Sequence, residues 1–459
     1  MTAAPVDALS AAGPLALTRA VPPLGEPRPV RLPTVSERTL DDGLRVLAVR
    51  RPGVPLAELR LRIPFAAPTG RGGRAYTASA ALLSDTLLSG TEHRDAAKLA
   101  ADVQALGGQL SASADADRLG FGASVLLPGL PGLLDLLAEV LTSASYPERE
   151  VLGERDRLVQ ELAIYRSQAS VVAREALLAR LYGDHPYGRE LPSADDVAAV
   201  KPAGLRRLHA QRVVPAGSIL IVVGDLPPAR LLGLVEAALS GWTATSSAHE
   251  TPPLPDQVPG PALLLDRPGA VQTTLRMSAP APARTDPDYA AFGLANLVFG
   301  GYFSSRWVAN IREDKGYTYS PHAQVEHPPA GSRVTIGADV STPTTAAALL
   351  ETVYELGRVA TTPVAQAELD QARRYAIGVL ALSTASQAGL ASTLSQLAGA
   401  GLGVEWLRDH PAQLQAVTVD DALAAAARYL APSRLSTVLV GDVAQVEAPL
   451  RTLVDLELG

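Results

Sequence analysis

No cysteine occurs anywhere in this 459-residue chain. Disulfides, thiolate metal sites and a cysteine nucleophile are therefore excluded together, and the cytoplasm is the expected compartment. Aromatic residues make up only 4%, so any core must be built mainly from Leu, Val and Ala. Positive charge is also short. A formal net charge of -7 leaves no basic face for phosphate, and no nucleic-acid partner is expected. Long apolar runs are missing too. The most apolar region, 125–140, is interrupted by Pro128, Pro131, Asp135 and Glu139; it reads as a turn and an amphipathic helix, with no membrane partner. Neither a GxSxG elbow nor a Walker loop is present, and the glycines at 399, 401 and 403 read as a turn after a helix. None of the seven histidines stands four residues from another, the spacing that aims two imidazoles at one metal from a helix. His322 and His327 come nearest, in a segment bracketed by proline.

With 47% hydrophobic and 19% charged residues, the composition is that of a globular protein with length enough for several cores. Residues 1–36 are rich in Ala and Pro and lack the basic and continuous apolar regions of a secretory signal. They are read as an extended arm. The strongest organisational signal is an internal duplication. From Val200 the chain runs through KPAGLRRLHAQRVV to Pro215 and on to Gly224-Asp225. From Val417 it runs through TVDDALAAAARYLA to Pro432 and on to Gly441-Asp442, with equal spacings. Each unit reads as a helix, a proline stop, a buried strand and a turn. Upstream, Leu44 to Val49 reads as a strand, and Glu58 to Ile63 alternates strictly, predicting one buried and one wet face. A Pro-rich, polar stretch at 246–261 reads as a linker. The expected fold class is α+β, with two homologous domains at 37–245 and 262–459, each a sheet covered by helices.

Two segments carry candidate chemistry. The run from Ala81 to Thr91 reads as a mostly apolar helix stopped by Gly90. In the run from Gly300 to Ser320, Phe303, Trp307 and Ile311 fall on one predicted helix face, Ser304 or Ser305 is placed to cap it, and Gly316 to end it. On these residues the chain resembles the M16 family of zinc peptidases, and its two-domain length is most similar to bacterial members that work as dimers. The resemblance runs from about residue 37 to the carboxyl end. It includes 40–49, the 81–91 run, the 154–161 helix, the Tyr182–Gly188 loop and the 300–320 run.

Active members carry a His-x-x-Glu-His motif shortly before a Gly-Thr ending. Aligned through Gly90-Thr91, its three functional positions become Ala81, Ser84 and Asp85. The resemblance thus implies a chain without zinc ligands or general base. The family's more distant glutamates persist as Glu154 and Glu161, which read as a solvated ion-pair face with Arg155, Asp156 and Arg157. A makeshift site of one such carboxylate with Asp85 has too few ligands for zinc. Active members also use an Arg and a Tyr seven residues apart to hold substrate, and Arg312 and Tyr319 match that spacing. Guanidinium and phenol donors suit peptide carbonyls and a developing oxyanion. A helix-end Arg and a packed Tyr are the structural alternative, with Arg306 and Tyr317 fitting the spacing less well. The implied role is the substrate-orienting subunit of a heterodimeric endopeptidase, inactive alone, with zinc in a homologous partner and a peptide as substrate. A structural or assembly subunit and a non-catalytic peptide-binding homodimer are the other readings.

Overall fold

Two adjacent apolar strands, Arg45–Arg50 (β2) and Ile219–Gly224 (β6), lie parallel at the heart of the first sheet in the computed structural model, which describes residues 31–243 and 251–459. The remaining strands are Thr34–Thr39 (β1), Leu56–Pro64 (β3), Gly108–Ala114 (β4) and Arg118–Leu126 (β5), in the order β1-β2-β6-β3-β5-β4. Thr34 to Ser36, read from the sequence as the end of the arm, are therefore the start of an edge strand. The earlier part of the arm (1–30) and residues 246–250 of the expected linker lie outside the described residues.

The second sheet repeats the first. Ala262–Asp266 (β7), Gln272–Ala281 (β8), His322–Glu326 (β9), Ser332–Ser341 (β10), Ser436–Gly441 (β11) and Leu456–Leu458 (β12) run in the order β12-β7-β11-β8-β10-β9. β11 is parallel to β7 and antiparallel to β8, as β6 is to β2 and β3. The duplicated units of the sequence are the helices Pro202–Arg212 and Val419–Tyr429 with β6 and β11 behind them. Equivalence reaches single side chains. Arg60 donates to the carbonyls of Leu59 and Ala123 at 2.7 and 3.4 Å. Arg276, at the matching place in β8, donates to those of Leu275 and Ala338 at 2.8 and 3.3 Å. The outermost strands differ: β1 precedes β2 and is antiparallel to it, whereas β12 arrives from the carboxyl end parallel to β7.

Alternation along the strands sorts side chains to two faces. Leu220 and Val222 join a core beneath the helices of their own half, while Ile221 and Val223 face the other way. That second face is covered from outside the half. The helix Gln387–Gly399, from the second half, packs Leu390, Leu394 and Leu397 onto Leu47, Val49, Ile221 and Val223. Reciprocally, the helix Ala169–Tyr182, from the first half, packs Ala173, Leu177, Leu178 and Leu181 against Val438 and Val440 of β11. Each such leucine contributes about 1.5–3 kcal/mol on burial, so the exchange binds the halves into one compact unit spanning Leu32–Gly459.

The exchange corrects one expectation. The polar face of Glu58 to Ile63 is not wet: Glu58 is buried, and Arg60 pairs with it and bonds Ser392 of the 387–399 helix at 3.1 Å. Among the described residues no single helix is long and apolar enough to cross a membrane.

Candidate functional site

Ala81, Ser84 and Asp85 sit in the last turns of the helix Arg71–Thr86, which packs against the helix Glu148–Arg166 bearing Glu154 and Glu161. The sequence places a methyl group at 81 and a hydroxyl at 84. The Ser84 hydroxyl donates to the Ala81 carbonyl at 2.8 Å, so its proton is spent within its own helix. Across from them, Arg157 rises between the two glutamates and binds both, through i−3 and i+4 contacts of one helix face. The sequence reading of an ion-pair face holds, with Arg157 as its centre. Asp85 opens to solvent but is crowded by the same glutamates. Partial burial first, then the charge of Glu154, raises its carboxyl to about 6 against the pull of Arg157.

These residues do not fit a zinc ion. Two of the positions offer no ligand, and the two glutamates are held by a cation. Among the described residues no group of three or more His, Asp or Glu is placed to hold a metal. Several of the described histidines have structural partners. Buried His209, for example, lies 2.8 Å from the Tyr146 hydroxyl and 2.9 Å from the Leu141 carbonyl.

The second candidate lies in the other half. The single helix expected after Ser304 is replaced by one short turn, Arg306–Val308, between two π-helical turns, Leu297–Gly301 and Ala309–Asp314. Extra residues in such turns re-aim side chains relative to an α-helix and recur at functional sites. Trp307 and Ile311 are fully buried as expected, but Phe303 is 62% exposed, because it precedes the helix. Trp307 stacks on Phe299 at 5.4 Å and donates to Thr352 at 3.0 Å. Ser305 makes no side-chain cap. Gly316, at φ 63°, does end the segment, its N–H donating to the Arg312 carbonyl at 3.1 Å.

Arg312 and Tyr319 meet across this turn. The Arg312 guanidinium lies 4.9 Å from the Tyr319 ring centre and 4.3 Å from that of Phe303, held between two rings that both face solvent. Tyr319 is 81% exposed. The guanidinium has Glu313 as its only ion-pair neighbour among the described residues, at 3.3 Å. The pair separates two shallow depressions of about 650 and 520 Å³, both lined by Arg312 and Tyr319. The alternatives are consumed by structure. Arg306 is clamped by Glu368 at 2.6 and 2.7 Å, and Tyr317 packs on the core. Sequence reasoning missed Phe303 as a partner of Arg312, having put it on one helix face with Trp307 and Ile311. Among the described residues no bond joins the Asp85 cluster to Arg312 and Tyr319.

Comparison with known proteins bears on both places. Residues 78–195 match the family model described as "Insulinase (Peptidase family M16)", and residues 199–375 match "Peptidase M16 inactive domain". An uncharacterized zinc protease of Mycobacterium leprae is 27% identical over 305 residues, covering 66% of this chain and 68% of that protein. One from Mycobacterium bovis is 26% identical over 407 residues, covering 88% and 92%. Subunit 1 of the mitochondrial cytochrome b-c1 complex of Bos taurus is 23% identical over 215 residues, covering 46% and 45%. Among solved structures, a peptidase M16 inactive domain from Pseudomonas fluorescens superposes with a TM-score of 0.82 at 23% identity, covering 89% of this chain and 98% of that one. A Helicobacter pylori protease gives 0.81 at 19%, covering 90% and 100%. At these identities the structural matches speak to the fold alone.

Proposed function

The chain belongs to the M16 peptidase family, and from that premise we propose that it is the substrate-orienting, non-catalytic subunit of a heterodimeric zinc endopeptidase. The observation that carries this is the contrast between the two places. Where the family's metal would sit there are Ala81, Ser84 and an Arg157-bound pair of glutamates. Where substrate would be held, a half-buried guanidinium and an exposed phenol stand stacked, with Glu313 as the guanidinium's only ion-pair neighbour among the described residues.

Zinc and its general base would belong to a homologous partner with an intact motif. This chain's part is to hold the peptide. Arg312 presents its remaining N–H donors, and Tyr319 its hydroxyl, to carbonyl oxygens of an extended substrate. Stacking fixes the direction of both before substrate arrives. One such donor, aimed at charge that develops in the transition state, is worth on the order of 10²–10³ in rate.

The test is reconstitution with an M16 subunit bearing the intact motif. Arg312→Ala and Tyr319→Phe should each depress peptide turnover by about 10²-fold or more while the heterodimer still forms. Unchanged turnover would refute the role. A second reading has its own support: the bovine relative is by name a subunit of a multiprotein complex. On that reading the fold serves assembly, and the same substitutions leave turnover untouched.

A further inference from the structure

The tips of the β4–β5 and β9–β10 hairpins meet between the halves and enclose a cleft of about 840 Å³. Tyr187 ties them together: its hydroxyl donates to Asp117 at 2.6 Å and accepts from the Ala330 N–H at 3.2 Å. Most charges around the cleft are matched. Arg174 holds Glu190 and Glu326, Arg333 shares Glu326, and Arg118 is paired with Asp115.

Two guanidinium groups are not matched by any carboxylate. Arg284 leans on the rings of Tyr289 and Trp406 and reaches the Gln396 side chain at 3.5 Å. Arg62, on β3, has no hydrogen bond and no carboxylate within 4.0 Å among the described residues, though it lines the cleft and is half-buried. It lies flat against the last turn of the 387–399 helix. A Cβ added at Gly399 would stand 2.6 Å from its terminal nitrogen, so the absence of a side chain there makes room for the guanidinium. Burial, then the neighbouring Arg118, makes its charge harder to keep. Leaving such a charge unpaired is costly.

We propose that this cleft is a carboxylate-binding site in which Arg62 receives a single carboxylate of an extended peptide. The number of negative charges follows from the walls: Asp115, Asp117, Glu190 and Glu326 line the same cleft and repel polyanions, leaving room for one carboxylate opposite Arg62. A guanidinium with its donors free is the group best matched to such an anion. That the carboxylate belongs to a peptide rests on the proposed function. The cleft is also a separate place from Arg312 and Tyr319, neither of which lines it.

The experiment uses the full chain and a six-residue peptide of uncharged side chains carrying a neutral dye. The peptide is made with a free carboxyl terminus, as its terminal amide, and as the amide with one internal glutamate. Fluorescence anisotropy should show the free acid binding roughly tenfold or more tightly than the neutral amide, with the difference shrinking as salt is raised. If the internal-glutamate amide matches the acid, the carboxylate can come from a side chain; if not, from the terminus. In Arg62→Gln the preference should vanish. Gly399→Ala, which displaces the guanidinium without removing its charge, should weaken it and decides the matter should R62Q fail to fold. Equal binding of acid and amide, or a preference that survives both substitutions, overturns the site. Arg312→Ala separates the two ideas. A preference kept in R312A supports the carboxylate site whatever becomes of turnover. A preference abolished by R312A and untouched by R62Q overturns it and leaves the proposed function standing.

Discussion

The Arg312 guanidinium carbon lies 4.9 Å from the centre of the Tyr319 ring, so the two residues act as one stacked unit on the surface. A stack of this kind at an exposed site contributes about 0.5–1 kcal/mol, which is enough to set a direction though not to freeze it. A planar guanidinium covers the ring in a way a compact ammonium does not. Arg312→Lys is therefore expected to behave closer to Arg312→Ala than to the native chain in the reconstituted peptidase. The check is kcat/KM for one peptide across the three proteins, with heterodimer formation confirmed by size-exclusion chromatography.

Arg157 stands between three carboxylates: it binds Glu154 and Glu161 and attracts Asp85. Arg157→Met should lower Tm at pH 7, where the carboxylates repel one another. At pH 4 it should lower it less, as Asp85 is then protonated. Thermal unfolding at the two pH values measures the difference. The same cation opposes a metal. Ala81→His, Ser84→Glu and Asp85→His together are expected to give stoichiometric zinc binding only when Arg157 is also replaced. Metal analysis after dialysis, with and without Arg157→Met, decides it.

Asp85 alone gives a pH signature. Its carboxyl is raised from 3.8 to about 6, so between those values the folded chain holds a proton that the unfolded chain has released. Stability from this group is thus present below about pH 4 and is lost as pH rises through 6. Asp85→Asn should raise Tm slightly at pH 7–8, by on the order of 1 °C. It should change nothing at pH 4. A scan of Tm against pH for both proteins is the measurement.

The buried histidines pull the other way. His410 stacks on Trp406 at 4.2 Å, and burial lowers both it and His327 to about 4. Below 6.5 the unfolded chain binds protons that the folded chain refuses, so stability is full above about pH 6.5 and falls toward pH 4. The shift at His410 corresponds to on the order of 3 kcal/mol. His410→Phe, which keeps the stack and cannot titrate, should flatten the acid limb of stability measured by urea unfolding between pH 4 and 7.

The exchanged helices should make unfolding a single event. Leu394→Ala removes a buried side chain of the second half that packs on the sheet of the first. A loss of about 2–5 kcal/mol is expected, with probes in both halves shifting together. Separate transitions in the two halves would contradict the interlock.

Much of the scaffold was legible from residues alone. The matched spacings ending at Gly224 and Gly441 gave the duplication, because helix, proline stop and buried strand each leave a periodic or compositional mark. Laid against the M16 resemblance, the loss of the zinc motif was equally legible, since a methyl at 81 and a carboxylate at 85 cannot be imidazoles, nor a hydroxyl at 84 a carboxylate base. The M16 resemblance also pointed to Arg312 and Tyr319 as a pair.

What periodicity could not supply was anything set by the other half of the chain. The polar face of β3 read as wet because alternation reports which residues differ, and not what lies opposite them. Only the tertiary structure lays the 387–399 helix over that face, burying Glu58 and pressing Gly399 against Arg62. The exposure of Phe303 was hidden for a related reason: its i, i+4 spacing from Trp307 assumed one helix running through 303, whereas the helix begins only at Arg306. Sequence fixes which groups a residue can offer, while burial, pairing and direction depend on contacts between segments hundreds of residues apart.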